Sequence, residues 1–261
     1  MTEQLPHSDT AQPMATPEFS KKQAASDPAK LAGFPSAANA LRRKSSLVPV
    51  QCLRCRRDFL LPAGTKHCLD CGEIIHRSER RLFKSGISVR HARLKTWAAL
   101  RPPESGVTEW HQAVRVVRDF VASGSSILAL IGARGTGKTQ LGAIAVRQTI
   151  EIDRSAKLVQ IIELLANLKA RFETDGDAGW LEEWSRPHLL VIDEIAERID
   201  SDWSRCMFTT LLDKRYGACR PTILIGNVTA ADFDRVVGAS VASRCSEGGG
   251  VVVCEWSSYR S

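Results

Sequence analysis

The residues of this 261-residue chain best suited to chemistry form one loop, Gly132-Ala133-Arg134-Gly135-Thr136-Gly137-Lys138-Thr139. Its spacing matches G-x-x-x-x-G-K-[ST], a loop whose backbone N–H groups surround phosphate oxygens. An apolar strand precedes the loop, and a helix beginning at Lys138 would add its positive N-terminal end. We expect the Lys138 ammonium to reach the β- and γ-phosphates of ATP and the Thr139 hydroxyl to bind Mg²⁺. The predicted nucleotide-binding residues here are Gly132, Gly135, Thr136, Gly137, Lys138 and Thr139.

Two acids end a second apolar run, which reads Leu189-Leu190-Val191-Ile192-Asp193-Glu194. We expect Asp193 to hold Mg²⁺ through water and Glu194 to polarise the water that attacks the γ-phosphate. A helix N-cap at Asp193 is the alternative. Asn227 ends a third apolar run, and its amide is expected to bond the γ-phosphate or the attacking water, although asparagine is also common in plain turns.

Four cysteines form two Cys-x-x-Cys pairs twelve residues apart: Cys52, Cys55, Cys68 and Cys71. Each pair can supply one edge of a Zn²⁺ tetrahedron. A segment of about thirty residues cannot bury enough apolar surface to fold alone, so we expect bound zinc to stabilise it. A thioredoxin-like redox role is not favoured, because no βαβ pattern surrounds either pair. We expect His67, next to Cys68, to lie outside the ligand set.

The order of these motifs resembles the AAA+ ATPases, in particular the DnaC-type helicase loaders and their IstB-type transposition relatives. The resemblance covers roughly residues 82–260 and rests on GARGTGKT, LLVIDE, DKRYGACRPT, ILIGN and VVVCEWSSYR. It implies a five-stranded parallel sheet ordered 5-1-4-3-2. By matching positions it also implies that Asn227 is the sensor-1 residue and that Arg244 is the sensor-2 arginine. Ser240 stands where such loaders carry the arginine finger, so Arg235, a partner, or Arg244 itself would have to supply that charge.

The rest of the chain predicts four segments. Residues 1–47, rich in Ala, Pro and Ser, are expected to be a disordered tail. Residues 48–77 form the cysteine module, 78–105 a basic connector, and 106–261 the AAA+ ATPase domain. Alternating apolar runs and amphipathic stretches in the last segment predict an α/β fold with a mostly parallel sheet. The predicted strands are Ile127–Ile131, Leu158–Ile162, Leu189–Ile192, Thr222–Ile225 and Val251–Cys254.

The positive charge of the chain is concentrated around the cysteines. Residues 41–101 hold fifteen Lys and Arg against four Asp and Glu, although the whole chain carries only +7. Such asymmetry favours contact with nucleic acid, and a solvated basic surface is the alternative. Within the module, Arg54, Arg56 and Arg57 are compatible with phosphate contact and Phe59 with base stacking, and a surface that meets the helicase partner is the alternative. Alternative DNA-contacting residues in the ATPase domain are Lys214, Arg215 and Arg220.

The resemblance implies an ATP-dependent helicase loader that binds ATP, Mg²⁺ and single-stranded DNA, and the cysteine spacing adds Zn²⁺. Its partner would be a replicative hexameric helicase, and ATP-dependent self-association would accompany it. The alternatives are a transposition-helper ATPase on double-stranded target DNA and an adaptor that binds ATP but hardly hydrolyses it. A nucleotide kinase is not favoured, because the cysteine pairs lie upstream of the phosphate-binding loop. No apolar run is long enough to cross a membrane and no signal core is present, so we expect a cytoplasmic protein.

Overall fold

A hairpin of two antiparallel strands, β1 (Leu47–Gln51) and β2 (Asp58–Pro62), begins the described part of the chain. The computed structural model describes residues 47–124, 126–174, 179–196 and 201–260. Helix α1 (Leu69–Phe83) follows the hairpin. The tail expected over residues 1–47 therefore lies outside the described residues, except for Leu47, which begins β1. Helix α1 also runs through the predicted boundary at residues 77–78, so the cysteine module and the basic connector share one helix.

The larger sheet has five parallel strands in the order β4-β5-β6-β3-β7. They are β3 (Ile127–Gly132), β4 (Ala156–Gln160), β5 (Leu189–Asp193), β6 (Thr222–Gly226) and β7 (Gly250–Cys254). Numbered from β3, this is the 5-1-4-3-2 order that the family resemblance implies, so that prediction is confirmed. Strands β3, β5 and β6 are buried along almost their whole length, which explains why their sequences are unbroken apolar runs.

Helices cover both faces of this sheet. After α1 they are α2 (Val107–Ser123), α3 (Lys138–Glu151), α4 (Ile161–Thr174), α5 (Gly179–Ser185), α6 (Asp202–Gly217), α7 (Ala230–Val237) and α8 (Ala239–Arg244). One apolar core packs α2 and α3 on one face, and a second core packs the later helices on the other. No described helix has the length and apolarity to cross a membrane.

One predicted strand boundary is wrong. The sequence predicted a strand over Leu158–Ile162, whereas β4 spans Ala156–Gln160 and Ile161 already begins α4. Val159 in the strand and Ile161 in the helix are both buried, so the apolar run continues across the junction. Because both elements bury apolar residues here, the hydrophobic pattern does not mark where one ends.

The cysteine module is docked on the far end of α3, the helix that follows the phosphate-binding loop. Three backbone carbonyl groups at that end accept hydrogen bonds from the side chains of the module and of α1. Such carbonyl groups have no partner within their own helix, and cations there are favourable. The contacts are Arg54 Nη2 to Glu151 O (3.2 Å), Ser78 Oγ to Ile150 O (3.3 Å) and Arg81 Nη1 to Asp153 O (2.5 Å).

The connector after α1 lies against β4, the edge strand of the sheet. The Leu158 backbone N–H donates to Ser85 O over 2.7 Å, which satisfies an edge group that would otherwise face water. Gly86, at φ +77°, follows directly, and a Cβ there would lie 2.0 Å from Leu158 O. Glycine is therefore required for the connector to approach the strand so closely.

Arg215, in the middle of the basic stretch at the end of α6, is completely buried. Its Nε donates to Thr222 Oγ1 over 2.8 Å. Its terminal nitrogens donate to the carbonyl oxygens of Trp184, Ser185, Pro187, His188 and Pro221, at 2.7–3.3 Å. Burial, with a smaller contribution from Arg220, lowers the pKa of Arg215 to about 9. Arg215 has no surface to offer DNA, and its expected DNA contact is wrong.

We expect Arg215→Met to lower the free energy of unfolding by at least about 3 kcal/mol, because each buried acceptor left without a donor costs about 1–3 kcal/mol. Urea denaturation followed by tryptophan fluorescence measures the change. The neighbouring Lys214, whose side chain makes an exposed ion pair with Glu182 (2.8 Å), is the control. Lys214→Met should cost less than about 1 kcal/mol. Equal effects of the two substitutions would contradict the structural role of Arg215.

Candidate functional site

The phosphate-binding loop lies between β3 and α3, where the sequence placed it. Gly135 and Gly137 both adopt φ +85°, a left-handed conformation that glycine accepts without strain. A Cβ on Gly135 would lie 2.0 Å from Ser258 Oγ, so the loop has no room for a larger residue there. Helix α3 begins directly after Gly137, and its first backbone N–H groups therefore face the loop.

Lys138 is almost fully buried, and its ammonium is held by the loop itself. Nζ donates to Gly132 O (2.9 Å), Ala133 O (2.6 Å) and Thr136 Oγ1 (3.3 Å). Burial lowers the pKa of Lys138, which means that the charged form gains from an anion in the loop. The three oxygen partners keep the side chain positioned next to the space that the loop surrounds.

Thr139 and Asp193 are joined by a hydrogen bond between the ends of two elements. The Thr139 hydroxyl donates to Asp193 Oδ2 over 2.7 Å, and the Glu194 backbone N–H donates to Asp193 Oδ1 over 2.8 Å. Burial raises the pKa of Asp193, and these two hydrogen bonds oppose that rise. A hydroxyl and a carboxylate in contact supply the oxygen ligands that Mg²⁺ prefers. The residues present therefore fit a magnesium ion.

Glu194 directly follows β5 in a left-handed conformation, with φ +61°. Such a conformation is uncommon for residues with a side chain, and it is concentrated at functional sites. The next residue, Ile195, donates its backbone N–H to Ile225 O of β6 (3.0 Å), which fixes the turn. Asn227 follows β6 and is exposed in the same cavity as Glu194. The structure thus brings the two predicted polar residues together.

The cavity that these residues line has a volume of about 360 Å³. It also contains residues for which sequence reasoning predicted no role. They come from the connector, from the end of β4 and from the stretch after β7: Arg90, His91, Gln160, Tyr259 and Arg260. The connector stretch with Arg90 and His91 and the WSSYR stretch after β7 carry no chemical motif of their own. Nothing in their spacing predicts that they meet at this cavity.

The stretch after β7 holds the phosphate-binding loop in place. Trp256 Nε1 donates to Thr136 O over 2.7 Å, and the Tyr259 backbone N–H donates to Gly135 O over 2.9 Å. The Tyr259 hydroxyl donates to Arg101 O over 2.6 Å, which ties the connector to the same stretch. Both loop carbonyls therefore point away from the phosphate-binding space, and the loop N–H groups remain available to face it.

Arg244 is not part of this cavity, in contrast to the role that the family resemblance implied. Its carbonyl oxygen accepts a hydrogen bond from Ser126 Oγ, at the start of β3, whereas the phosphate-binding loop follows the end of β3. The guanidinium pairs with Asp213 and lies 5.3 Å from the centre of the Tyr216 ring. Because the length of β3 separates the two places, Arg244 does not reach the nucleotide cavity of its own chain.

The two other residues considered for the arginine finger lie on α7 and α8. Ser240 is exposed on α8, two turns or less from Arg244 in the same helix. Arg235, at the end of α7, forms an exposed ion pair with Asp232 (2.9 Å). Neither residue lines the nucleotide cavity of its own chain.

The four cysteines Cys52, Cys55, Cys68 and Cys71 come together as the sequence predicted. Their sulfur atoms all lie within 4.8 Å of one another, and Cys55 Sγ is 4.0 Å from Cys68 Sγ. Sulfur ligands of a tetrahedral Zn²⁺ are about 3.8 Å apart, given Zn–S distances of about 2.3 Å. The residues present therefore fit a zinc ion. Burial raises the pKa of Cys71 to about 12, with contributions from the neighbouring sulfurs.

Phe59 packs against this cluster, so its ring is half-buried and belongs to the core of the module. Part of the ring is therefore covered, and base stacking by Phe59 stays a prediction for its exposed part only. Arg54 is engaged with the end of α3, as described above, whereas Arg56 and Arg57 are exposed. His67 has a buried Nδ1 atom, and no hydrogen-bond partner for it is found among the described residues.

Comparison with known proteins places the fold and the family. Residues 72–245 match the model of the IstB-like ATP binding proteins, beginning one residue after Cys71. The replicative helicase loader DnaC of Escherichia coli (strain K12) is 25% identical over 188 residues, which are 71% of this chain and 76% of that protein.

Two solved structures share the fold. The crystal structure of the DnaC helicase loader has a TM-score of 0.57 at 20% identity, covering 64% of this chain and 100% of that one. The crystal structure of DnaI has a TM-score of 0.56 at 19% identity, covering 69% of this chain and 100% of that one. The family match covers two thirds of the sequence and contains the whole phosphate-binding loop, Asp193, Glu194 and Asn227. The chain therefore belongs to the family of IstB-like ATP binding proteins and has the AAA+ fold.

Proposed function

We propose that this chain is an ATP-dependent helicase loader, which binds ATP with Mg²⁺, contacts single-stranded DNA and delivers a replicative hexameric helicase onto it. The observation that carries this proposal is the single cavity that contains Lys138, the Thr139–Asp193 pair, Glu194 and Asn227. The likeness to a protein named replicative helicase loader supports the biological role. A soluble, cytoplasmic location follows from that role.

In this proposal the phosphate-binding loop holds the β- and γ-phosphates of ATP. Lys138 exchanges its hydrogen bonds to the loop carbonyl groups for bonds to phosphate oxygens, and the first N–H groups of α3 donate to the same phosphates. Thr139 and Asp193 would hold Mg²⁺ with their side-chain oxygens. When bound, Mg²⁺ offsets phosphate charge during the transfer of the γ-phosphoryl group. The attraction between the Lys138 ammonium and the phosphates is strong because the ammonium is already desolvated.

In hydrolysis the two polar residues opposite the loop, Glu194 and Asn227, have separate roles. Glu194 accepts a hydrogen bond from the attacking water and orients it toward the γ-phosphorus, as a general base does. Asn227 donates its side-chain N–H to the γ-phosphate or to that water. The fixed turn after β5 supports this division, because it keeps the Glu194 backbone in one conformation beside β6.

A transposition-helper ATPase that acts on double-stranded target DNA is the second candidate. The match to the IstB-like ATP binding proteins favours it, because the IstB-type relatives of the loaders are transposition helpers. The two candidates share the nucleotide site, so they differ in partner and in strand preference. Affinity purification from the native cell followed by mass spectrometry tests the first candidate: a hexameric helicase should co-purify. Binding confined to duplex DNA, with no helicase recovered, would favour the second.

We further propose that the four-cysteine cluster binds one structural Zn²⁺ and that Arg244 completes the nucleotide site of a neighbouring copy. The sulfur geometry supports the zinc ion. The position of Arg244, distant from its own cavity and held by Asp213, supports action between copies. In such an arrangement the cation reaches the γ-phosphate only in the assembled state, so hydrolysis depends on self-association.

Glu194→Gln should leave ATP binding intact and slow hydrolysis by about 10²–10⁴-fold, because the amide cannot accept a proton from water. Turnover and nucleotide affinity, measured separately, check this prediction. Lys138→Ala should instead abolish binding, and the exposed Glu104→Gln is the control that should change neither. Normal turnover in Glu194→Gln would assign the water-polarising role to another residue.

Metal analysis should find one zinc ion per chain in protein purified under reducing conditions without chelator. Cys52→Ser and Cys68→Ser should each lose the metal, because three thiolates hold structural zinc more weakly than four. Cys206→Ser, at an exposed cysteine of the ATPase domain, should retain it. Zinc-free protein with four titratable thiols in the module would contradict the assignment.

Arg244→Ala should lower oligomer-dependent turnover by about 10³-fold or more without changing ATP affinity, because arginine fingers contribute about 10³–10⁵ in rate. Arg235→Ala, at an exposed arginine nearby, is the control. A mixture of Arg244→Ala and Lys138→Ala chains sharpens the test. Each chain alone is inactive, but the Lys138→Ala chain can supply Arg244 to the intact loop of its neighbour. A mixture that stays inactive would reject the action between copies.

A further inference from the structure

A basic groove lies between α1 and the start of β4, on the side of the domain away from the nucleotide cavity. It has a volume of about 360 Å³. Its walls carry five cationic side chains, and backbone and small side chains at the start of β4 and before β5 complete it. The lining residues are Arg77, Arg80, Arg81, Lys84, Ser155, Ala156, Lys157 and Pro187.

Three of the five cations already have acidic partners. Arg77 and Arg81 both pair with Asp153, at 3.0 and 2.6 Å, and thereby fix α1 against the turn that follows α3. Lys157 pairs with Glu183 over 3.2 Å. These three side chains stabilise the packing of the elements around the groove, and their charges are already paired.

Arg80 and Lys84 are different, because both are exposed and neither makes an ion pair within the described residues. They are four residues apart, and therefore lie on the same face of α1. Two acids, Glu73 and Glu79, line the same surface as these cations, and Glu79 pairs with His76 over 3.5 Å. Arg80 and Lys84 thus face solvent beside the groove with neither acid in an ion pair with them among the described residues.

Phe83 lies between these two cations in sequence and is 91% exposed. A single exposed apolar side chain has no meaning by itself. Residues three or four positions apart lie side by side on a helix, so the Phe83 ring is next to the Arg80 side chain. Lys84 is the next residue in the sequence. Cations that follow a phosphate backbone, combined with an aromatic ring on which a base can stack, are the pattern of single-strand binding surfaces.

The positive field extends beyond the groove. His188, next to the groove residue Pro187, lies 3.0 Å from Arg154. Burial, and to a smaller extent the charges of Arg154, Arg215 and Arg220, lower the pKa of His188. Arg154 therefore adds positive charge beside the groove, whose only paired acids are Asp153 and Glu183 among the described residues.

We propose that Arg80, Phe83 and Lys84, together with the groove between α1 and β4, form a binding surface for single-stranded DNA. Backbone phosphates lie on the two cations, and one base stacks on the Phe83 ring. This inference rests on the DNA-binding part of the proposed function and names the surface responsible. Phe83 offers a far more exposed ring than Phe59, which is partly buried against the cysteine cluster.

Fluorescence anisotropy with a labelled thirty-nucleotide oligo(dT) and with a thirty-base-pair duplex, over a range of salt concentrations, tests the surface on the full chain. For oligo(dT), Arg80→Gln/Lys84→Gln should reduce the salt slope by about 1.4 and the affinity by about 25-fold at 0.1 M salt, because two phosphate contacts are lost. Arg115→Gln/Arg118→Gln, with the same change of charge on the exposed face of α2, is the control and should change neither.

Phe83→Ala separates stacking from charge. It should weaken oligo(dT) binding by about 5- to 100-fold with the salt slope unchanged, since stacking releases no counterion. Duplex binding should not respond, because its bases are not available to the ring. Leu69→Ala, at an apolar residue 80% exposed on the same helix, is the matched control.

The outcomes that overturn the inference are distinct. Wild-type affinity and salt slope in both the Arg80/Lys84 and the Phe83 variants would reject this surface while leaving the DNA-binding part of the proposed function intact. Equal losses on duplex and oligo(dT), with Phe83→Ala silent, would reject single-strand binding here. Failure of the unaltered chain to bind either oligonucleotide would reject both the surface and the DNA-binding proposal.

Discussion

The position of β3 between β6 and β7 is the constraint on which the nucleotide site depends. Parallel pairing places the ends of neighbouring strands at the same edge of the sheet, so the loop after β3 and Asn227 after β6 must meet there. Strand β5 pairs with β6 and brings Asp193 and Glu194 to the same edge. The stretch after β7 leaves from the other side of β3, which is why Trp256 and Tyr259 reach the loop carbonyls.

Helix α3 connects the two chemically distinct parts of the molecule. Its first turn faces the phosphate-binding loop, and the carbonyl groups at and just after its end accept hydrogen bonds from Arg54, Ser78 and Arg81. Both ends of the helix dipole therefore have partners of the appropriate kind, with anions expected at the start and cations present at the end. The cysteine module is thus packed against the element that begins at the nucleotide site, even though the family match starts only after its last cysteine.

Arginines of similar sequence context have opposite roles in this fold. Arg215 and Arg80 both lie in basic helical stretches, and in each case the residue type suggests contact with a polyanion. Arg215 points inward, where neutral carbonyl oxygens satisfy its guanidinium, whereas Arg80 points outward beside a groove. The difference depends on which face of each helix packs on the sheet. The number of charges along the chain does not reveal which face that is.

The sequence by itself determined the chemistry of the nucleotide site and the strand content of the domain. Phosphate-binding glycines, Lys138, Thr139 and the acids after β5 act through local backbone geometry, and local geometry follows from short motifs. The four cysteines were equally recognisable as candidate zinc ligands, because ligand type and spacing identify such sites. Only the tertiary structure decided what covers the loop, where Arg244 lies and which aromatic ring is free. Those features depend on contacts between residues far apart in the chain, such as Trp256 with Thr136 and Ser126 with Arg244, for which the sequence carries no local signal.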